Sequence, residues 1–216
     1  IAAAGELANN AKQTFVHKIL LPEVSFDEDK FLNGVEKDVG DHGYSVIVAS
    51  EGLKNKNGEL YASSTEKDSF GHNQLGGLAP KIASLITEKL SLKNHWSVAD
   101  YLQRSARHIS SQTDIEQAVA VGKAAVKLAA EGKTGVMPII KRISDSPYKW
   151  SISEGDLNEI ANEEKTLPKH FISSDGFRIT KAGRDYLQPL IEGESFPKFS
   201  NGIPIYEGLD LHLRKI

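Results

Sequence analysis

Two short apolar runs flank a helical pattern near the start of the chain, and they restrict the fold more than any other feature. Thr14-Phe-Val-His-Lys-Ile-Leu-Leu-Pro22 reads as a buried strand ended by proline, and Tyr44-Ser-Val-Ile-Val-Ala49 as a second. Between them, Ser25 to Val39 has the marks of a helix. Ser25 is placed to cap it, Asp27 and Glu28 sit in its first turn, and Phe31, Leu32 and Val35 form an apolar stripe. Strand, helix and strand at this spacing make a βαβ unit, whose two strands run parallel through a right-handed crossover. The chain is therefore expected to be an α/β protein.

The remaining pattern extends this reading. Lys54-Asn-Lys-Asn-Gly-Glu59 is polar enough for a solvated loop. Gly76-Gly77 and Pro80 open a helix with Ile82, Leu85, Ile86 and Leu90 on one face, and His95 to Leu102 is a third candidate strand. Thr113 and Glu116 form a capping box for a helix with Ile115, Val119, Gly122, Val126 and Ala129 at helical spacing. Gly132 stops that helix, and Gly135 to Ile140 predicts a fourth strand, put near an edge by Pro138. A short helix is expected after Ser153, ending before Pro168, and another begun by Thr180 and running to about Leu190. The chain begins at Ile1 within an apolar helical pattern (Ile1, Ala4, Leu7, Ala8) that no capping residue precedes, so a fragment of a longer polypeptide is expected.

Composition excludes several classes of function. A net charge of −3 with mixed acids and bases gives no electrostatic footprint for nucleic acid. Any anionic ligand must be held by local cations. The chain has no cysteine, which removes disulfides, thiolate nucleophiles and cysteine-held metals. No stretch approaches the roughly 20 apolar residues of a membrane span, and the N-terminus lacks the pattern of a signal peptide. A cytoplasmic location is expected. Seven histidines show no metal-ligand spacing, and neither familiar phosphate-cradling glycine motif occurs.

Ligands of parallel sheets bind where strand ends and loops converge. Glu51 follows the strand ending at Ala49, where its carboxylate could accept hydrogen bonds from sugar hydroxyls or simply face solvent or cap a helix. Tyr101-Leu102-Gln103-Arg104 follows the third candidate strand. Arg104 offers a fork of donors suited to a phosphate, or a structural arginine paired with a carboxylate. Arg107 and His108 make the segment locally cationic. From the residues alone, the chain is an α/β domain for a small polyhydroxylated anion.

Several segments in order resemble the phosphofructokinase family. Ile1-Ala-Ala-Ala-Gly-Glu-Leu-Ala8 with Ile19-Leu-Leu-Pro-Glu23 is similar to the stretch after that family's Met-Gly-Arg motif. Val48-Ala-Ser-Glu-Gly52 resembles its strand end bearing a sugar-binding glutamate. Phe70-Gly-His-Asn-Gln-Leu-Gly-Gly77, Tyr101-Leu-Gln-Arg-Ser105, Ser111-Gln-Thr-Asp114 and Asp185-Tyr-Leu-Gln-Pro-Leu190 look like the pyrophosphate-dependent branch. The ATP-dependent bacterial branch tends to have His-x-Gln-Arg-Gly-Gly where this chain has Tyr101-Leu-Gln-Arg-Ser-Ala106.

The resemblance implies the C-terminal half of a three-layer αβα fold with parallel sheets. Residues 1–103 would belong to the sugar-phosphate-binding domain, 104–190 to the phosphoryl-donor domain, and 191–216 would form a C-terminal extension. It implies a glycolytic phosphotransferase that moves a phosphoryl group reversibly between pyrophosphate and fructose 6-phosphate, yielding fructose 1,6-bisphosphate. Glu51 would contact the sugar, and Tyr101, Leu102, Gln103 and Arg104 would hold its phosphate. The alternatives are an ATP-dependent enzyme or a non-catalytic sugar-phosphate-binding subunit. The family's Gly-Gly-Asp-Asp loop, its Thr-x-Asp-x-Asp segment with the catalytic base, and its Met-Gly-Arg motif are not in this chain. No catalytic or metal-ligating residue is therefore assigned here, and the magnesium ligands and catalytic base are expected in an upstream half or a partner chain. His95 stands where ATP-dependent relatives place an arginine that reaches a neighbouring subunit, so His95 or Lys93 would take that place. A homo-oligomer is expected, with no nucleic-acid or membrane partner.

Overall fold

The computed structural model describes residues 1–67 and 73–206, and within 63–67 and 73–75 the backbone alone. Phe70, Gly71 and His72 of the expected family segment, and His212, lie outside the described residues. In chain order, a 3-10 turn (Ala2–Ala8) precedes β1 (Lys18–Leu20), α1 (Glu28–His42), β2 (Ile47–Ala49), β3 (Ser63–Lys67), β4 (Asn73–Leu75) and α2 (Leu78–Leu90). Then come α3 (Leu102–Ser105), α4 (Gln112–Ala130), β5 (Val136–Asp145), β6 (Tyr148–Asp156) and α5 (Leu157–Ile160). A 3-10 turn (Lys169–Phe171), α6 (Lys181–Leu187), another 3-10 turn (Gln188–Ile191), β7 (Phe199–Ser200) and β8 (Ile203–Pro204) complete the described chain. Packing groups these elements into two units, one of residues 1–98 and 162–188, the other of residues 99–161 and 189–216.

The first unit contains the expected βαβ. β1 and β2 pair in parallel, with Ile19 opposite Val48 and Leu20 opposite Ala49. The cap of α1 lies two residues later than expected. Asp27, in extended backbone, accepts the Lys30 amide at 3.1 Å, whereas Ser25 lies outside the turn and plays no such part. The expected stripe is correct: Phe31, Leu32 and Val35 are buried, with Phe31 fully covered. They meet Ile82, Leu85 and Ile86 of α2, together with Phe26 and Leu53, in the main apolar cluster. α2 begins after Gly77, which sits at φ +80°, a conformation that favours glycine.

A second cluster forms on Ile19, Leu21, Val16, Ala3 and Ile179. Here the N-terminal expectation needs correction. The first residues form a 3-10 turn whose buried members are Ala3 and Glu6, while Ile1 is exposed. A three-residue period places Ala3 and Glu6 on one face, and Glu6 is held there by Arg178.

Two polar groups are also buried beside β1. The Lys18 ammonium meets Asp38 of α1 at 2.8 Å. The His17 ring accepts the Val46 amide through Nδ1 at 3.1 Å, which makes it a neutral, Nε2-protonated imidazole. Burial pushes the His17 pKa down, while the Asp38 charge opposes that shift.

The second unit departs further from expectation. Residues 95–102 form no strand: Asp100 adopts φ +45°, and the chain turns into the four-residue α3. The cap of α4 is Ser111, whose Oγ accepts the Asp114 amide at 3.1 Å, so Thr113 lies inside the first turn. The expected fourth strand is β5, and it pairs antiparallel with β6 in a long hairpin. Ser153 therefore belongs to a strand, and the helix expected after it shrinks to α5, capped by Asp156. Pro138 faces Glu154 within this two-stranded ladder, where a missing donor is tolerated at an edge. The helix expected from Thr180, in the first unit, is α6, and Thr180 is its cap.

Candidate functional site

The end of β2 is built to present Glu51. The Ser50 amide donates to the Leu20 carbonyl at 3.0 Å, which carries the parallel ladder one residue past β2. The Leu53 amide then donates back to the Ser50 carbonyl at 3.0 Å and closes a turn with Glu51 and Gly52 at its corners. Leu53 is 1% exposed and anchors the turn in the core. Glu51 itself is half-buried, and its Oε2 is a covered oxygen with no hydrogen-bond partner among the described residues. A buried carboxylate oxygen seldom goes without a donor, so this atom has acceptor capacity that the described residues leave unused.

The other predicted residues lie in the second unit. Tyr101 begins α3, and its carbonyl accepts the amides of Arg104 at 2.9 Å and Ser105 at 3.0 Å. Tyr101, Leu102, Gln103 and Arg104 are all exposed. The Arg104 guanidinium stands 6.0 Å from the centre of the Tyr101 ring. No hydrogen bond or ion pair engages the Arg104 side chain among the described residues. The structure thus joins Tyr101 and Arg104 on one helical turn, although that turn does not follow a strand. Of the cations nearby, Arg107 is committed elsewhere: its Nη2 is 3.2 Å from Ser195 Oγ and its Nη1 donates to the Ser195 carbonyl. Sequence reasoning grouped Arg107 with Arg104 and missed this difference. Its partner lies 88 residues further on, and a lone serine in a polar tail gives no signal of it.

In the first unit, a cavity of about 280 Å³ opens between β1, the start of α1 and residues 175–177, with Lys30, Lys56, Asp27 and Asp175 at its edge. Its carboxylates are already used. Asp27 pairs with Lys56 at 2.9 Å, and Asp175 takes the Phe177 amide at 3.0 Å. Among the described residues, no group of three or more histidine, aspartate or glutamate side chains is placed to hold a metal ion, and no helix is long and apolar enough to cross a membrane.

Comparison with known proteins places this arrangement. No protein-family model matches the chain. Solved structures do, among them the pyrophosphate-dependent phosphofructokinases of Marinobacter aquaeolei and Nitrosospira multiformis. The first has a TM-score of 0.78 and 47% identity over 99% of this chain and 51% of that one. The second has 0.80 and 47% over 96% and 48%. The fold is thus the α/β fold of the phosphofructokinases. Among curated proteins, the pyrophosphate–fructose 6-phosphate 1-phosphotransferase of Methylococcus capsulatus is 54% identical over 206 residues, or 95% of this chain and 49% of the relative. That of Halomonas elongata is 50% identical over 212 residues, covering 98% and 51%. The chain belongs to the phosphofructokinase family and is similar to its pyrophosphate-dependent members. It spans about half the length of the curated relatives it matches.

Proposed function

We propose that the polypeptide carrying this chain transfers a phosphoryl group reversibly between pyrophosphate and the 1-hydroxyl of fructose 6-phosphate, and that this chain supplies the grip on the sugar phosphate. The observation that carries this reading is 54% identity along 95% of the chain to a protein named for that reaction. The unpartnered Glu51 oxygen and the uncommitted Arg104 fork support the assignment of roles.

Glu51 accepts hydrogen bonds from sugar hydroxyls, since Oε2 has no donor among the described residues. Arg104 takes the 6-phosphate through two parallel N–H donors and neutralises part of its charge. Tyr101 keeps that guanidinium over its ring and brings a hydroxyl to the same phosphate, with Leu102 and Gln103 lining it. In phosphoryl transfer positioning and electrostatics supply most of the rate, so a grip on the sugar phosphate is a direct contribution to it. Residues 1–103 serve the sugar phosphate together with Arg104 at their boundary, the rest of 104–190 belongs with the donor domain, and 191–216 form an extension. Magnesium, when bound, neutralises charge on the pyrophosphate; its ligands and the base that activates the hydroxyl are assigned outside this chain, where the family's missing motifs would lie. A cytoplasmic homo-oligomer accords with this reading.

Glu51→Gln tests the sugar contact, because it keeps size and one acceptor while removing the charge. The KM for fructose 6-phosphate should rise about ten-fold, since charge-assisted hydrogen bonds are roughly twice as strong as neutral ones, while the KM for pyrophosphate stays put. An unchanged fructose 6-phosphate KM would remove Glu51 from the site.

A further inference from the structure

α3 is a four-residue helix with no buried residue, and its Tyr101 cap and Leu102 are 72% and 65% exposed. A single turn of helix is not stable by itself in water, and apolar packing does not fix this one. Arg104 can hold a phosphate in a defined place only if something else sets the turn. The segment from Leu190 to Ser195 runs beside the start of α4 like a strap. The Ser195 amide donates to the Ser110 carbonyl at 3.1 Å, the Gln112 amide to Gly193 at 3.1 Å, and the Thr113 amide to Glu192 at 3.3 Å. Ser111 Oγ, already the cap of α4, also donates to the Leu190 carbonyl at 2.9 Å. Gly193 makes the approach possible. It sits at φ +73°, and a Cβ there would lie 2.5 Å from Gln112 Cβ.

The strap is joined to the α3 turn through one side chain. Half-buried Arg107 reaches both the carbonyl and the hydroxyl of Ser195. Its own backbone is tied to the α3 turn on one side and to the start of α4 on the other. The Arg107 amide donates to the Ser105 carbonyl at 2.8 Å, and Ser110 Oγ donates to the Arg107 carbonyl at 3.1 Å.

We infer that Arg107 is a positioning residue: clamped by Ser195 of the strap, it sets the turn that carries Arg104. The inference rests on the phosphate-binding role proposed for Arg104. Arg107 touches no substrate; it acts through Arg104.

Steady-state kinetics of the full polypeptide, with Arg107→Ala, Arg104→Ala and the double variant, test this. Arg107→Ala should raise the KM for fructose 6-phosphate about ten-fold and leave kcat and the pyrophosphate KM within about two-fold. On the Arg104→Ala background it should add less than about two-fold, because it acts through the residue already removed. Arg107→Lys, which keeps one donor for the Ser195 carbonyl, should fall between and provides a folded variant if alanine is not tolerated. Hydrogen exchange at the amides of residues 102–106 should speed up in Arg107→Ala. Additive effects of the two alanine variants, or unchanged exchange over 102–106, would overturn the inference. If Arg104→Ala itself leaves the fructose 6-phosphate KM unchanged while exchange still speeds up, the phosphate-binding reading fails and the clamp survives.

Discussion

Replacing Arg104 by alanine is expected to weaken binding of fructose 6-phosphate about ten- to a hundred-fold, the loss of one strong charge-assisted contact. Isothermal titration of the sugar phosphate into wild type and variant reads this directly. The prediction is clean because the side chain has no structural task. Arg104 is exposed, its side chain makes no hydrogen bond or ion pair among the described residues, and α3 buries nothing. Folding stability should stay within about 0.5 kcal/mol of wild type, as for surface substitutions in general. Arg104→Lys should recover part of the affinity, since it restores the charge but not the two-pronged geometry. Equal affinity in Arg104→Ala and wild type would mean that the phosphate is held elsewhere.

The largest stability effect is expected at the opposite kind of arginine. The Glu6 carboxylate is 3% exposed and receives Arg178 through two bonds, Nη2 to Oε1 at 2.6 Å and Nε to Oε2 at 2.8 Å. Asn9 and the Ile179 amide add donors at 3.3 Å, and Arg184 stands at 3.4 Å. Arg178→Met preserves bulk but leaves a buried carboxylate without its main partner. Breaking a buried pair from one side typically costs 3–5 kcal/mol. Arg184 remains and Arg178 is about one-third exposed, so about 3 kcal/mol is expected here, measured as a fall in the urea midpoint at neutral pH.

Acid should narrow that difference. Burial opposes ionisation of Glu6, but the hydrogen bonds from Arg178, Asn9 and Ile179 and the Arg178 charge outweigh it and hold its pKa below the ordinary 4.5. A lowered carboxylate pKa gives stability that is present above pH 4.5 and lost as pH falls below it. The wild type loses this share on acidification, whereas the variant, left with only the weaker partners Asn9, Ile179 and Arg184, has less to lose, so the two unfolding curves should converge below that pH. Both proteins also lose stability below about pH 6.5, where an unfolded histidine takes a proton that buried His17 resists. A gap that stays constant down to pH 3 would contradict the account of Glu6.

The first half of the chain was legible because its signals are local. The apolar run ending at Leu21, the stripe of Phe31, Leu32 and Val35, and the second run ending at Ala49 each state one element, and the βαβ rule joins them. Caps were less legible. Ser25 and Thr113 are good capping residues, yet Asp27 and Ser111 sit nearer the point where the backbone turns extended. The stretch 95–102 was read as a candidate strand, but a strand needs a partner, and the left-handed turn at Asp100 ends any extension. β5 was legible over its apolar start, but its partner β6 escaped because half-buried alternation on a two-stranded ribbon resembles a polar helix when read one residue at a time.

The site divides along the same line. Glu51 could be picked out from its place after a strand, but not the fact that one of its oxygens would lack a donor. Arg104 and Arg107 are chemically identical three residues apart. Only the fold tells the uncommitted one from the one bound to Ser195.

The most direct test of the central claim is a phosphotransferase assay of the full polypeptide that carries this chain, with fructose 6-phosphate and either pyrophosphate or ATP as donor. The account predicts fructose 1,6-bisphosphate with pyrophosphate, the reverse reaction with phosphate, and little turnover with ATP. Product formation with ATP alone would contradict it.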